Sequence, residues 1–279
     1  MVFALLMISS ANSQENKKEL IICSFNVRYN SADDGINIWE NRKDWLTHSI
    51  RFYQTDLIGT QEVTHIQLLD MQQLLPNYAY LGIGREGDTK GEYSAIFYKK
   101  DRFEVVDSNT FWLSETPEVV ASKGWDAALP RIVTWALFKD KQSGITFYHF
   151  NTHFDHRGKQ ARIESAALLS EKIEEIAGMS AVLLTGDFNS SPNSEAIDTL
   201  LKNGLKDPYL SLDPDQVYGP EYSANGWDAE GRTSENRIDY VFYKGAVQPL
   251  TLQILDGQRG QRFISDHFPV IAKVELSVK

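Results

Sequence analysis

Six short segments gather acids, amides and histidines of the kinds that bind metals and move protons. They are Ser24-Phe25-Asn26-Val27, Gly59-Thr60-Gln61-Glu62, His149-Phe150-Asn151-Thr152-His153, Gly186-Asp187-Phe188-Asn189, Arg237-Ile238-Asp239-Tyr240-Val241 and Ser265-Asp266-His267-Phe268-Pro269. Side chains alternate along a strand, so Asp187 and Asn189 share one face while Phe188 takes the other. The same alternation aims Asn151 and His153 together and sets Asp239 opposite Ile238 and Tyr240. A carboxylate between apolar strand neighbours is costly to bury unless it has a partner, a proton or a metal. Taken singly, Glu62, Asp187 or Asp239 reads more readily as a turn former or a hydrogen-bonded strand-end acid. Their accumulation at strand ends points instead to a site. Oxygen donors with no thiolate among them suit Mg²⁺, with Mn²⁺ or Ca²⁺ as alternatives, better than zinc. Cys23 is the only cysteine, which excludes an intrachain disulfide and a thiolate metal cluster; a small buried strand residue is its reading.

The elements that must hold these segments follow from hydrophobic period. Leu20 to Val27 and Asp56 to Gly59 read as strands, Trp39 to Tyr53 as a helix, and Val63 to Leu75 as a helix that stops before Pro76. From Tyr78 to Phe150 the runs become strand-like: Tyr93 to Tyr98, Phe103 to Leu113, Ile132 to Phe138 and Ile145 to Phe150. Lys159 to Ile176 is the clearest amphipathic helix, with Ile163, Ala166, Ala167, Leu169, Ile173 and Ile176 expected on its apolar face, and Gly178 ends it. Strand Ala181 to Thr185, helix Ser194 to Leu201, a polar loop from Ser211 to Glu235, and strands near Ile238 to Phe242, Leu250 to Leu255 and Val270 to Leu276 complete the chain. Helices and strands alternate at both ends around a long stretch of strands only, which excludes a simple parallel sheet and makes an α/β sandwich.

The 279 residues, 42% apolar, suffice for one large core, and no linker or repeat divides them. A formal net charge of -10 argues against a broad basic surface for nucleic acid. Residues 1–13 carry no charged side chain and read as a secretory signal cleaved before Gln14, although the usual basic n-region is missing. The mature domain is then 14–279, and its place of action secreted or periplasmic. The apolar run is too short for a transmembrane anchor. No protein partner is expected, and the chain reads as a monomer.

In this order the six segments resemble the endonuclease/exonuclease/phosphatase superfamily over nearly the whole mature chain. Its members include pancreatic-type deoxyribonucleases, apurinic endonucleases, inositol polyphosphate phosphatases, neutral sphingomyelinases and deadenylases. The resemblance implies a four-layer α/β/β/α sandwich of two mixed, largely antiparallel sheets flanked by helices. It makes Glu62 the main metal ligand, Asn26 a helper in binding metal or phosphate, and Asp266 a supporting or second-metal ligand. Asp187 would orient and deprotonate the attacking water with help from Asn189. His267 would contact the scissile phosphate, its tautomer held by Asp239. His153 would be a second catalytic histidine, with Glu92 as its acidic partner. That chemistry is coherent for a phosphate ester, where a cation at the phosphoryl oxygen and positioned proton donors offset developing charge.

Arg131, just after Pro130, is a candidate phosphate contact, and Asn151 a supporting residue. Trp125 and Trp227, each in a Gly-Trp-Asp tripeptide, suggest an aromatic rim able to stack on a planar ligand. His48, His65 and His156 read as surface histidines. The inositol phosphatase branch is disfavoured, because Leu183-Leu184-Thr185 and Glu235-Asn236-Arg237 stand where its tryptophan strand and Cys-Asp-Arg segment would be. The segments look most like bacterial members related to the deadenylase branch. A phosphodiesterase or nuclease, exonuclease-like, is the first reading. A phosphomonoesterase of sugar, inositol or lipid phosphates is the second, and a non-catalytic binding module the third.

Overall fold

The computed structural model describes residues 17–228 and 230–277, so the candidate signal lies outside the described residues. Among the described residues fourteen strands, five α-helices and three short 3-10 helices follow one another. The first large sheet has seven strands, in the order β3 (Tyr78–Leu81), β4 (Ile96–Lys99), β2 (Leu57–Gln61), β1 (Lys17–Asn26), β14 (Val270–Ser277), β11 (Val247–Ile254) and β9 (Val217–Tyr218). The second has five, in the order β10 (Asp239–Lys244), β8 (Val182–Asp187), β7 (Thr146–His153), β6 (Ile132–Asp140) and β5 (Phe103–Trp112). A small hairpin joins β12 (Gln258–Arg259) to β13 (Arg262–Phe263). Both large sheets are mixed: β1 with β2, β7 with β8 and β9 with β11 run parallel, and the other pairs antiparallel.

Three apolar layers show why this is a four-layer sandwich. Helices α1 (Trp39–Phe52) and α2 (His65–Leu74) place Trp39, Leu46, Ile50, Leu68 and Met71 against Phe25, Ile58 and Phe97 of the first sheet. On the other side, α3 (Lys159–Ala177) and α4 (Glu195–Lys202) pack Ala166, Leu169, Ile173, Ile197 and Leu200 on Val182, Leu184 and Phe242. Between the sheets lie Ile22, Leu57, Phe138, Phe147, Leu183, Val241 and Val274. The short α5 (Pro208–Ser211) follows α4 and is capped by Asp207.

The inter-sheet layer changes character along its length, and this positions the site. On β1 the inward face runs Leu20, Ile22, Ser24, Asn26; on β7 it runs Phe147, His149, Asn151, His153; on β8 it runs Leu183, Thr185, Asp187. Each face begins apolar and ends polar. At the transition a buried network joins the sheets: Gln61 Nε2 donates to Asn151 Oδ1 at 2.7 Å, Thr185 Oγ1 donates to the same oxygen at 2.9 Å, and Asn151 Nδ2 donates to the carbonyls of Thr60 and Ala95. Gly186 N reaches across to Ser24 Oγ at 3.0 Å. His149, fully buried, shares a 2.9 Å hydrogen bond with Thr185, and burial pushes its pKa down to about 3, so it is a neutral member of this network. Gly59 makes the close approach feasible, since a Cβ there would lie 1.9 Å from Thr185 Oγ1 and 2.4 Å from Asn151 Oδ1.

Several expectations change in detail. Tyr93 makes only isolated bridges to Val63 and Gly84, so β4 begins at Ile96, and Tyr78–Leu81 adds an edge strand. Ala167 is exposed; the packed face of α3 is set by Ala161, Ala166, Leu169, Ile173 and Ala177. The loop from Ser211 to Glu235 contains β9 and is stitched to the chain after β13: Asn225 N and Gly226 N donate to Asp266 O, and Phe268 N to Ser223 O.

Gly59→Ala should therefore destabilise the fold by about 1–3 kcal/mol through overpacking of the inter-sheet network. Denaturant unfolding measures it, and an unchanged midpoint would show that the sheets do not meet at this point.

Candidate active site

The polar ends of β1, β2, β7, β8 and β10 and the segment before β14 converge at one end of the inter-sheet layer. The strand registers align His153 with Asp187 and Asp187 with Asp239, which brings an imidazole and two carboxylates onto adjacent strands of one sheet. Glu62 reaches them from the other sheet. It follows β2 in a left-handed conformation (φ 61°), a turn that lifts its carboxylate off the strand axis. One ligand atom each from Glu62, His153 and Asp187 lie within 4.8 Å of one another, and the same holds for Asp187, Asp239 and His267.

Asn26 joins the two acids. Its Nδ2 donates to Glu62 Oε1 at 3.1 Å and to Asp187 Oδ2 at 2.9 Å, while its Oδ1 accepts the Arg28 amide at 2.9 Å. Asn26 thus tethers the two carboxylates that it was expected to assist in binding metal or phosphate. Asp266 stands outside both clusters, with Arg28 Nε 3.7 Å from its Oδ2. Burial raises its pKa, countered by His267 and reinforced by Glu62.

The two imidazoles sit in opposite electrostatic settings. Burial works against a charge on His267, but Asp239, whose Oδ2 is 2.8 Å from His267 Nδ1, together with Asp187 and Asp266 outweighs it and holds the ring well above its ordinary value. Asp239 is itself placed by Ser223, whose Oγ accepts the Ile238 and Asp239 amides at 3.0 Å each. His153 is driven well below its ordinary value by burial and by the charges of Arg131, Arg85 and His267. Its Nε2 lies 3.0 Å from Asn189 Nδ2 and 3.5 Å from Asp187 Oδ2; with the ring neutral, that second contact is no salt bridge. Asn189, at φ 47°, also gives its amide to Asp187 Oδ1 at 2.9 Å.

Asp187 is the focus of the arrangement. Burial first, then the charge of Asp239, raises its pKa to about 7, against which His267 and the donors on Asn189 and Asn26 pull downward. A carboxylate poised near neutrality beside a protonated and a neutral imidazole is what a general base needs.

The pairing expected between Glu92 and His153 is not formed. Glu92 Oε2 is 2.8 Å from Arg85 Nη1, a partner the sequence did not suggest, and burial still raises its pKa. Arg85, Glu92, Arg131 and His153 nonetheless line one small cavity. Arg131 is nearly fully buried, 3.5 Å from Asp155 Oδ2 and 3.0 Å from His156 Nδ1, so His156 is a site neighbour although its ring is exposed. Asn151 supports the site from within the layer. The two tryptophans do not form a common free rim. Trp227 is half-buried on the inter-sheet core, with the Arg42 guanidinium 5.3 Å from its ring. Trp125 is half-buried in a loop whose next residue, Asp126, accepts the Ala161 amide at the start of α3. Arg42 was also missed. It is a buried cation in α1 that donates to the carbonyls of Val27, Arg28, Asn37 and Ile264 and so ties the Asn26 and Asp266 segments together.

Comparison with known proteins agrees with this geometry. Residues 23–267 match the model of the Endonuclease/Exonuclease/phosphatase family. The chain belongs to that family. Members of the family are phosphoester hydrolases, and divalent-metal dependence is a family property. A crystal structure of an endonuclease/exonuclease/phosphatase from Bacteroides vulgatus is 40% identical, covers 93% of this chain and 99% of its own, and superposes with a TM-score of 0.88. The mannosyl-6-phosphatase of Bacteroides thetaiotaomicron is 39% identical over 91% of this chain and 99% of its own, with a TM-score of 0.85. Nocturnin of Drosophila melanogaster is 26% identical over 85% of this chain but only 42% of its own length. The chain spans between about two-fifths and two-thirds of the curated relatives it matches.

The raised pKa of Asp187 has a sign that can be checked. A carboxyl whose value rises from 3.8 to about 7 on folding binds its proton more tightly in the native state, so its contribution to stability is full below pH 3.8 and is lost as pH rises through 7. Asp187→Asn removes that loss. In metal-free protein the melting temperature of the variant relative to wild type should climb between pH 5 and pH 8. A constant difference across that range would mean that Asp187 is not proton-binding on folding.

Proposed function

We propose that this chain is a divalent-metal-dependent phosphomonoesterase of a small phosphorylated molecule, most readily a sugar phosphate. The observation that carries the hydrolase reading is the meeting of Glu62 from one sheet with Asp187, His153 and the His267–Asp239 pair at the end of the other. The monoester preference is supported by the 39% identity to a mannosyl-6-phosphatase along nearly the full length of both chains. The net charge of -10, which disfavours a polyanionic nucleic acid, supports it further. This reverses the order of the two enzymatic readings taken from the sequence. The nuclease reading keeps its support in the similarity to nocturnin and to Ccr4 exoribonuclease subunits.

The donor set suits a hard divalent cation. Glu62 and Asp187 are oxygen donors tethered by one amide, and burial opposes charge at both Asp187 and Asp266, so a cation would relieve the cluster. Glu62 would hold Mg²⁺ or Mn²⁺, with Asp187 close enough to act on a water beside the ion and Asp266 adding negative charge nearby. Bound there, the ion supplies Lewis-acid polarisation of a phosphoryl oxygen.

The rest of the mechanism belongs to the chain. Asp187, oriented by the Asn189 amide and by Asn26, accepts a proton from the attacking water as the phosphorus–ester oxygen bond breaks, and the departing alkoxide takes a proton from solvent. His153, uncharged, and the Asn189 side chain bonded to it fix the water's line of approach. His267, kept protonated by Asp239, donates a hydrogen bond to a non-bridging phosphoryl oxygen as charge builds there. Arg131 adds a fixed positive charge for the dianionic phosphate. The proposal extends to an exported place of action, supported by the uncharged apolar stretch at residues 1–13, and to a monomer. Among the described residues no helix is long and apolar enough to cross a membrane.

Turnover of p-nitrophenyl phosphate, bis-p-nitrophenyl phosphate, hexose 6-phosphates and single-stranded RNA with Mg²⁺, Mn²⁺ or EDTA tests the reading. We expect monoester hydrolysis that EDTA abolishes, and losses on the order of 10²–10⁴ in rate for Asp187→Ala or His267→Ala. Faster turnover of RNA than of any monoester would reinstate the nuclease reading, and full activity in EDTA would refute metal dependence.

A further inference from the structure

A cavity of about 440 Å³ opens beside the site, between the start of α3, the chain leading into α4 and the segment before β10. That volume falls within the range of about 300–1,000 Å³ typical of small-molecule sites. Asn189 lines it, and the same residue's side chain bonds His153, so one residue separates the cavity from the reacting groups.

Its lining is polar without being an anion trap. Lys159 and Arg162 line it together with Glu195 and Glu235, two charges of each sign. Arg162 already gives Nη1 to the Asp155 carbonyl, and the α4 N-terminus is capped by its own Ser194, whose side chain accepts the Ile197 amide. A second phosphate would therefore find little net attraction. Ser190, also in the lining, is 5% exposed, and its Oγ has no hydrogen-bond partner among the described residues. That oxygen is itself shielded from the cavity, so the exposed Asn193 and Glu195 supply the hydrogen-bonding groups of the wall. Ile163 and Ile238 supply an apolar part of the wall. Donors and acceptors of both kinds beside an apolar surface match a sugar ring, which carries hydroxyls on its rim and C–H groups on its face.

We propose that this cavity is a carbohydrate subsite, which holds the uncharged polyhydroxy group bearing the scissile phosphate while Asn189 forms the wall common to both. It rests on the phosphomonoesterase reading and specifies its substrate class. Phosphate bound against Asp187 and His267 then has its ester oxygen directed past Asn189 to the sugar, and a phosphate on a planar aryl group leaves the cavity unused.

The test compares a hexose 6-phosphate with p-nitrophenyl phosphate, using wild type and the Asn193→Ala/Glu195→Ala double variant, both positions being exposed cavity residues. With two hydrogen-bonding groups removed, the ratio of kcat/KM for the sugar phosphate over the aryl phosphate should fall about tenfold, the change appearing in KM for the sugar phosphate. An unchanged ratio overturns the subsite. Saturation-transfer NMR with a free methyl hexoside gives a readout independent of turnover. Contact signals that wild type shows and the double variant loses support the subsite even if neither substrate is hydrolysed, a result that would sink only the hydrolase reading. No signal with wild type overturns the subsite, and so does competition of that signal by inorganic phosphate alone at the cavity of an Asp187→Ala variant.

Discussion

The arrangement depends on one costly feature, the burial of several acids within a few ångströms of each other at the end of a sandwich. Asp187 and Asp239 are almost completely buried and directly opposite in register, and Glu62 and Asp266 approach from the other sheet's side. Burial first, and then the like charge of Asp239, pushes Asp187 toward protonation, its pKa raised to about 7. His267 and the donors on Asn26 and Asn189 offset only part of this. The apolar half of the same inter-sheet layer and the two helix-covered faces supply the cohesion that lets the polar end persist, and the Gln61, Asn151 and Thr185 network forms the boundary between the halves. A site under such electrostatic tension is one that a cation and an anionic substrate relax together.

From that constraint follows the division of labour between two residues of the same type. His153 is buried, His267 nearly so, and both lie near Asp187, yet the Asp239 carboxylate holds His267 protonated while burial, with Arg131 and Arg85, holds His153 neutral. One donor and one neutral partner thus flank a single base, and the difference comes from which charges each ring faces rather than from its own chemistry.

Much of this was legible in the sequence because strand alternation is local. The runs around Asn151, Asp187 and Asp239 declare by their spacing which side chains share a face, and the structure places them together. What the sequence left unread depends on which loops meet. Asn26 lies beside Glu62 and Asp187, but its spacing did not show that its Nδ2 bridges both carboxylates while the Arg28 amide bonds its oxygen. Glu92 meets Arg85, seven residues earlier, because the intervening turn folds back, and no periodicity signals that pairing. Ser223 supports Asp239 from a loop whose sequence resembles any polar connection, and Trp227 turns inward because the buried Arg42 offers it a cationic face. On α3 the period placed the apolar face almost correctly, and Ala167 missed it because alanine carries too little surface to mark a side.

The clustered carboxylates would form a cation site with Glu62 at its core. Calorimetric titration of Mg²⁺ or Mn²⁺ into purified protein, without substrate, tests it most directly when wild type is compared with Glu62→Gln. Wild type should bind saturably and release protons near pH 7, since the ion lowers the raised pKa of Asp187, and the variant should bind at least about tenfold more weakly. Equal affinity in both proteins, or no binding to wild type at millimolar metal, would contradict it.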